Sequence, residues 1–407
     1  MTPAEIRAVS RLGGHAFAGL VSRIEQVHRA VADRAFTTAG TMSVPARVIH
    51  DSITRGVYLA VRGAGTAAGA AGAETASLLG TAGRSVGREP GGNLAQAALN
   101  AIAGGHLGPD LAPLAIPMAV RAAGTDIGLT TRELSAVSSR PTPRLAVFVH
   151  GLAETENSWQ RRGAESEPYG SRLQEEFGFT PVYVRYNTGR HISDNGHDLA
   201  ALLDGLTAAW PGQVDELLLV GHSMGGLVIR SACHYGRQHE AAWVDQVQHL
   251  FYLGTPHLGA PLARAAGFAG WALDKLAETR PFVTLINGSS PGIKDLRYGY
   301  VLADDWAGCD QDSCIRDHRH DTPLLPGANH YAISATITTD PRHPLGVAAG
   351  DLLVQPASAH GRHGARQHIP FPVDAHRGVG GMHHFDLLNH PAVWIAMRDM
   401  LAGNPGH

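Results

Sequence analysis

Leu217-Leu218-Leu219-Val220-Gly221-His222-Ser223-Met224-Gly225-Gly226 is the stretch that decides the fold of this chain. An apolar run breaks at a serine bracketed by glycines, and Leu227-Val228-Ile229 then resumes an apolar pattern. The spacing of Gly221, Ser223 and Gly225 predicts a sharp turn from a buried strand, Leu217 to Val220, into a helix from Leu227 onward. Glycines two before and two after the serine leave room for a strained turn that a Cβ would obstruct. Such a turn lifts the Ser223 hydroxyl to the top of a sheet and aims a helix N-terminus at whatever it attacks.

Upstream, Leu145-Ala146-Val147-Phe148-Val149 forms a second apolar run and ends in His150-Gly151-Leu152, as a strand buried on both faces would. A serine alkoxide attacking a carbonyl creates an oxyanion that needs two preorganised donors. The backbone N–H of Met224 and that of Leu152 are the two candidates. His150, Gly151, Gly221, His222 and Gly225 are then the residues that support the elbow and the facing loop.

Downstream, a strand is expected at Ala332–Thr338, followed by Gly350-Asp351-Leu352-Leu353-Val354 and by His383-His384-Phe385-Asp386-Leu387-Leu388. Serine is a poor nucleophile near neutral pH unless a neutral imidazole takes its proton and a carboxylate orients that imidazole. The chain order serine, acid, histidine differs from that of the chymotrypsin and subtilisin types. Asp340 competes with Asp351 for the acid, and His383 competes with His384 for the base.

These motifs resemble the lipase and esterase branch of the α/β-hydrolases, and are similar to bacterial GPI inositol-deacylase-like proteins. The matching residues are Val149-His150-Gly151-Leu152, Gly221 to Arg230, and Leu253-Gly254-Thr255-Pro256-His257-Leu258-Gly259, with the downstream motifs extending the match to about residue 401. The resemblance implies an α/β-hydrolase fold, a doubly wound and mostly parallel sheet with a cap-like insertion at about 260–330. It implies that Asp351 is the acid and His384 the base. The implied activity is hydrolysis of carboxylic esters, lipid-like or otherwise apolar in the acyl part, through an acyl-enzyme on Ser223, with no cofactor and no metal. Acyl transfer or amide hydrolysis by the same triad is the alternative, and a non-catalytic scaffold is the reading from a different class.

The remaining sequence sets bounds. The hydrolase domain is expected at 144–407, after an Ala/Gly-rich helical accessory region at 1–134 and a linker at 135–143. The N-terminal helices carry faces such as Phe17, Leu20, Ile24 and Val27, suited to packing, self-association or peripheral membrane contact. Trp271, Leu273, Phe282, Leu285, Tyr298, Tyr300 and Trp306 in the insertion suit either an apolar substrate wall or the insertion's own core. A formal net charge of −3 over 407 residues gives no footprint for nucleic acid. No secretory signal and no apolar run of spanning length is visible, so a cytoplasmic location is expected, with membrane association at the surface as the alternative. Cys309 and Cys314 are spaced for either a local disulfide or two free thiols. The histidines at 318, 320, 360 and 363 lack a recognisable metalloenzyme spacing.

Overall fold

The computed structural model describes residues 90–107, 109–138, 140–160, 167–260, 290–308, 318–363 and 367–403, with isolated positions before residue 90. The expected helices before residue 90 and the Cys309–Cys314 pair lie outside the described residues. The chain divides into two compact units, Met1–Glu89 with Leu107–Ala115, and Pro90–His106 with Ile116–His407. Of the first, the described element is the 3-10 turn Ala112–Leu114, which has proline at its start.

The second unit is built on one sheet. Its strands are β1 (Ala119–Ala122), β2 (Thr125–Ile127), β3 (Arg144–Val149), β4 (Thr180–Arg185), β5 (Glu216–His222), β6 (Val247–Leu253), β7 (Asn329–Thr336) and β8 (His376–Gly380). They lie in the order β8-β7-β6-β5-β3-β4-β1-β2. All neighbours from β8 to β4 run parallel, whereas β1 is antiparallel to both β4 and β2. This is the α/β-hydrolase fold.

Burial follows the two-residue strand period. Leu145, Val147, Val149, Leu217, Leu219, Leu250 and Tyr252 join one core, and Ala146, Phe148, Leu218, Val220, Phe251 and Leu253 join another. Apolar residues at consecutive positions therefore mean a sheet covered on both sides. The first core receives α3 (Ile192–Ala209) through Leu199, Leu203 and Leu206, and α4 (Met224–Gln238) through Leu227 and Val228. The second receives α2 (Tyr169–Phe177) through Leu173 and α6 (Pro391–Leu401) through Val393 and Met397. Helix α1 (Pro90–Ala103) belongs to the same unit, as does α5 (Pro291–Tyr298).

The sheet takes in residues 119–127, ahead of the linker expected at 135–143. Ala123 and Gly124 join β1 to β2 with φ of 47° and 74°, the two-residue hairpin geometry that opposes Ala122 to Thr125. The stretch expected as a linker is itself tied down: Thr142 N–H donates to Thr180 Oγ1 at 2.9 Å, and Trp210 Nε1–H donates to the Thr142 carbonyl at 2.9 Å.

A buried ion cluster fastens this edge to the loop after β3. Arg185, at the end of β4, holds Glu156 through Nε and Nη2 at 2.5 Å each, and Arg121 of β1 reaches the same carboxylate at 3.2 Å. Burial alone would raise the Glu156 carboxyl, but the hydrogen bonds and charge of Arg185, with Arg121 behind, bring it below its ordinary 4.5. Glu156→Gln should cost about 3–5 kcal/mol, because it leaves buried guanidinium charge uncompensated. A folded-state value below the unfolded one adds stability above about pH 4.5 that disappears as pH falls through the lowered value. Urea midpoints for the two proteins should therefore differ widely at neutral pH and converge in acid.

Candidate active site

Ser223 sits between β5 and α4 as the N-cap of the helix, with φ 52° and ψ −121°. A non-glycine residue pays for such a backbone, and the surroundings hold it there. Its N–H donates to the Leu253 carbonyl at 2.9 Å and its own carbonyl accepts from Gly226 N–H at 3.1 Å. The flanking glycines answer to space. A Cβ on Gly225 would stand 2.2 Å from the Val149 carbonyl oxygen, and one on Gly221 would stand 2.5 Å from the Gly226 nitrogen. The turn thus presses the start of α4 onto the end of β3, and a Cβ on Gly151 would be 3.1 Å from Ser223 Cβ.

Asp351 and His384 meet. Asp351 is buried, and its Oδ1 accepts from Leu353 N–H at 3.0 Å and Val354 N–H at 2.8 Å. Leu352 takes φ 80° to let the chain fold around the carboxylate. The other oxygen, Oδ2, lies 2.7 Å from His384 Nδ1, and the His384 backbone N–H donates to the Asp351 carbonyl at 3.1 Å. His384 opens a 3-10 turn, His384–Leu388, and its Nε2 is buried with no hydrogen-bond partner. Burial pulls the His384 imidazole down, but the Asp351 charge and hydrogen bond, with the Glu154 charge behind them, carry it above its ordinary 6.5.

The competitors are elsewhere. His383 is exposed, and its backbone N–H donates to Asp386 Oδ2 at 2.8 Å. Asp340 is exposed too, with Oδ1 accepting from Arg342 N–H at 2.8 Å within its own turn.

Glu154 belongs to no motif of the sequence, yet it is buried between the loop after β3 and the elbow. Its Oε2 accepts from Gly151 N–H at 2.7 Å and faces His222 Nδ1 at 3.0 Å. His222 Nε2 in turn faces the His384 carbonyl at 3.2 Å, with the two imidazole rings 4.7 Å apart. The loop after β3, the elbow and the loop bearing His384 are therefore joined by one carboxylate and one ring. The only sequence signal was a carboxylate close behind His150-Gly151 in an otherwise buried segment.

His150 has a separate role. Burial holds it down at about 4, so the ring is neutral. Its Nε2 lies 3.4 Å from Tyr186 N–H and its Nδ1 lies 2.9 Å from the Gly151 carbonyl, while Tyr186 stacks on it at 4.5 Å. Leu152 and Met224 are both buried. Met224 opens α4, where the first N–H groups have no partner within the helix. Ala153, after Leu152, takes φ 57° and donates its N–H to Thr188 Oγ1 at 3.2 Å.

The aromatic residues of the insertion that are described pack within the domain. Tyr298 and Tyr300 stack at 5.1 Å, and Trp306 stacks on His191 at 3.7 Å while its Nε1–H donates to Ser193 Oγ at 3.1 Å. Trp271, Leu273, Phe282 and Leu285 lie outside the described residues. Tyr169 reaches across from α2: its hydroxyl donates to the Leu387 carbonyl at 3.0 Å and accepts from His390 N–H at 2.7 Å.

Residues 146–269 match the family model described as the PGAP1-like alpha/beta domain. No curated protein matches the chain by sequence. Among solved structures it is similar to the Bacillus licheniformis lipase BlEst2 in mature form, at 21% identity over 64% of this chain and 94% of that one, with a TM-score of 0.44. It is similar to RedJ, a thioesterase from the prodiginine biosynthetic pathway of Streptomyces coelicolor, at 19% identity over 64% and 89%, with a TM-score of 0.37. A hyperthermophilic esterase from Pyrobaculum calidifontis gives 15% identity over 66% and 78%, with a TM-score of 0.38.

Gly225→Ala tests the close approach at the elbow. The added methyl meets backbone carbonyls of β3, which cannot swing aside, so a loss on the order of 4 kcal/mol or more is expected. Thermal unfolding of the variant should show a collapse of stability, and an unchanged melting temperature would contradict the packing described.

Proposed function

We propose that this α/β-hydrolase fold, with its PGAP1-like segment, serves a serine hydrolase that cleaves carboxylic esters with apolar acyl groups. The observation that carries the reading is the 2.7 Å contact of His384 Nδ1 with Asp351 Oδ2, which leaves a buried Nε2 unpartnered in a ring 4.7 Å from that of His222, the residue before Ser223. With Nδ1–H donated to the carboxylate, Nε2 carries the lone pair that a general base requires.

In this mechanism Nε2 takes the Ser223 proton as Oγ attacks the ester carbonyl. The oxyanion of the tetrahedral intermediate accepts hydrogen bonds from the N–H groups of Leu152 and Met224. Collapse breaks the bond to the alcohol oxygen, which leaves with the proton held by His384. Water then repeats the sequence on the acyl-enzyme and frees the acid. Asp351 balances the transient imidazolium charge. The positions of His150, Gly151, Gly221, His222 and Gly225 around the elbow support this division of roles.

A fluorophosphonate should label the wild-type protein and not Ser223→Ala, and that variant should lose roughly 10⁴–10⁶-fold in kcat. Ester hydrolysis undiminished in folded Ser223→Ala would reject the reading. Among p-nitrophenyl esters of increasing chain length, kcat/KM should climb with the acyl chain; a flat or falling series would remove the apolar preference.

The pH profile has a definite sign. His384 must be neutral to act, so kcat/KM should rise with pH through a midpoint above 6.5. Asp351→Asn removes the charge that lifts the imidazole and leaves burial dominant. Its rising limb should move to lower pH while the plateau falls by about 10⁴. His383→Gln should keep activity within a few-fold of wild type, since that side chain is exposed.

A further inference from the structure

A cavity of about 520 Å³ lies between α4, the loop after β6 and the segment around residues 319–323. Arg230 and His257 both line it. Arg230 stands seven residues along the helix that Ser223 caps, about 10 Å at 1.5 Å per residue. It is 7% exposed. Its Nη2 donates to the Thr322 carbonyl at 2.8 Å, while its Nε is buried with no partner. Among the described residues no carboxylate forms an ion pair with it. Asp305 lines the same cavity and its charge favours the guanidinium, but its carboxylate oxygens are hydrogen-bonded elsewhere: they accept from Val301, Leu302 and His320 N–H and face His320 Nδ1. A buried guanidinium that no described carboxylate pairs with directly is costly, and an anion in the cavity would offset that cost.

His257 makes the second observation. It is 1% exposed, wedged against Tyr252 at 4.8 Å and Phe371 at 5.1 Å, and neither ring nitrogen has a partner. Burial first, and the Arg230 charge next, hold it well below the usual imidazole range. The residue lines the cavity, and its neutral ring carries one N–H donor and one acceptor. Arg319 adds a second guanidinium to the lining, and Asp321 is exposed.

We propose that this cavity is a binding site for a phosphate-type oxyanion, held by the Arg230 guanidinium and the His257 imidazole. The site is independent of the ester chemistry assigned to Ser223. Its volume falls in the range of about 300–1,000 Å³ typical of small-molecule pockets, so it accommodates a phosphate ester as well as free phosphate.

Thermal unfolding of the full chain, titrated with inorganic phosphate or glycerol 3-phosphate against chloride at matched ionic strength, tests the assignment. The melting temperature should rise saturably, by roughly 5 °C at high occupancy. Calorimetric Kd values should weaken at least tenfold in Arg230→Gln and in His257→Gln. Ligand-free Arg230→Gln should melt no lower than wild type, since among the described residues the buried charge it removes has no ion pair. A tighter Kd for glycerol 3-phosphate identifies an organic phosphate as the ligand, and equal values identify the free ion. A wild-type melting temperature indifferent to both probes, or a shift that persists in both variants, overturns the proposal. Neither readout uses ester hydrolysis, so failure here is distinct from failure of the reading of Ser223.

Discussion

The site depends on one close approach, the start of α4 lying directly against the carboxyl end of β3. The strands β3 and β5 are parallel neighbours with Val149 opposite Gly221, so the loops that leave them emerge side by side. That adjacency puts the N–H groups after His150 next to those at the start of α4. It exists only because Gly225 lets helix backbone rest on the Val149 and His150 carbonyls. The unfavourable φ at Ser223 is the cost of the arrangement, and the fully buried flanks of β5 and α4 bear it.

Around this contact, polar groups have been taken out of water and satisfied one atom at a time. One oxygen of Asp351 is spent on backbone N–H groups, which leaves the other to face His384 alone. Glu154 divides its attention between the backbone of Gly151 and the ring of His222. His150 is neutral and fixed at both nitrogens. Low local dielectric makes each of these bonds stronger and each omission more expensive. Outside this network, Arg230 Nε and both ring nitrogens of His257 are buried without a hydrogen-bond partner.

The elbow and the strands β3 and β5 were legible because each carries a local signal, either an apolar run or a glycine with a steric purpose. The β1–β2 hairpin was not legible. Strands of four and three residues show no periodicity, and an Ala-Gly turn lacks the Asn or Asp that usually marks one. Helix α3 begins at Ile192 although Ser193-Asp194-Asn195-Gly196 has the composition of a loop. There tertiary packing wins: a Cβ on Gly196 would stand 2.1 Å from Ser231 Oγ of α4. Glu154 carries no local signal for a related reason, since its partner His222 lies 68 positions away. The histidine doublet could be separated only by the turn that buries one ring and exposes the other, and Tyr300 and Trp306 turned out to have partners within the domain.

The grip of Tyr169 on the loop of His384 has a consequence for how the molecule comes to life. The elbow is complete once β3, β5 and α4 exist, but Asp351 and His384 are encoded far behind it. Under the proposed mechanism, a chain that has built only the elbow holds Ser223 without its base. When the last loop arrives, it finds landing points already in place: a phenolic hydroxyl from α2 that takes its backbone at Leu387 and His390, and an imidazole from the elbow that takes it at His384. Under the same mechanism the onset of reactivity waits for the last loop, and a chain that stops short of it has no base for its serine.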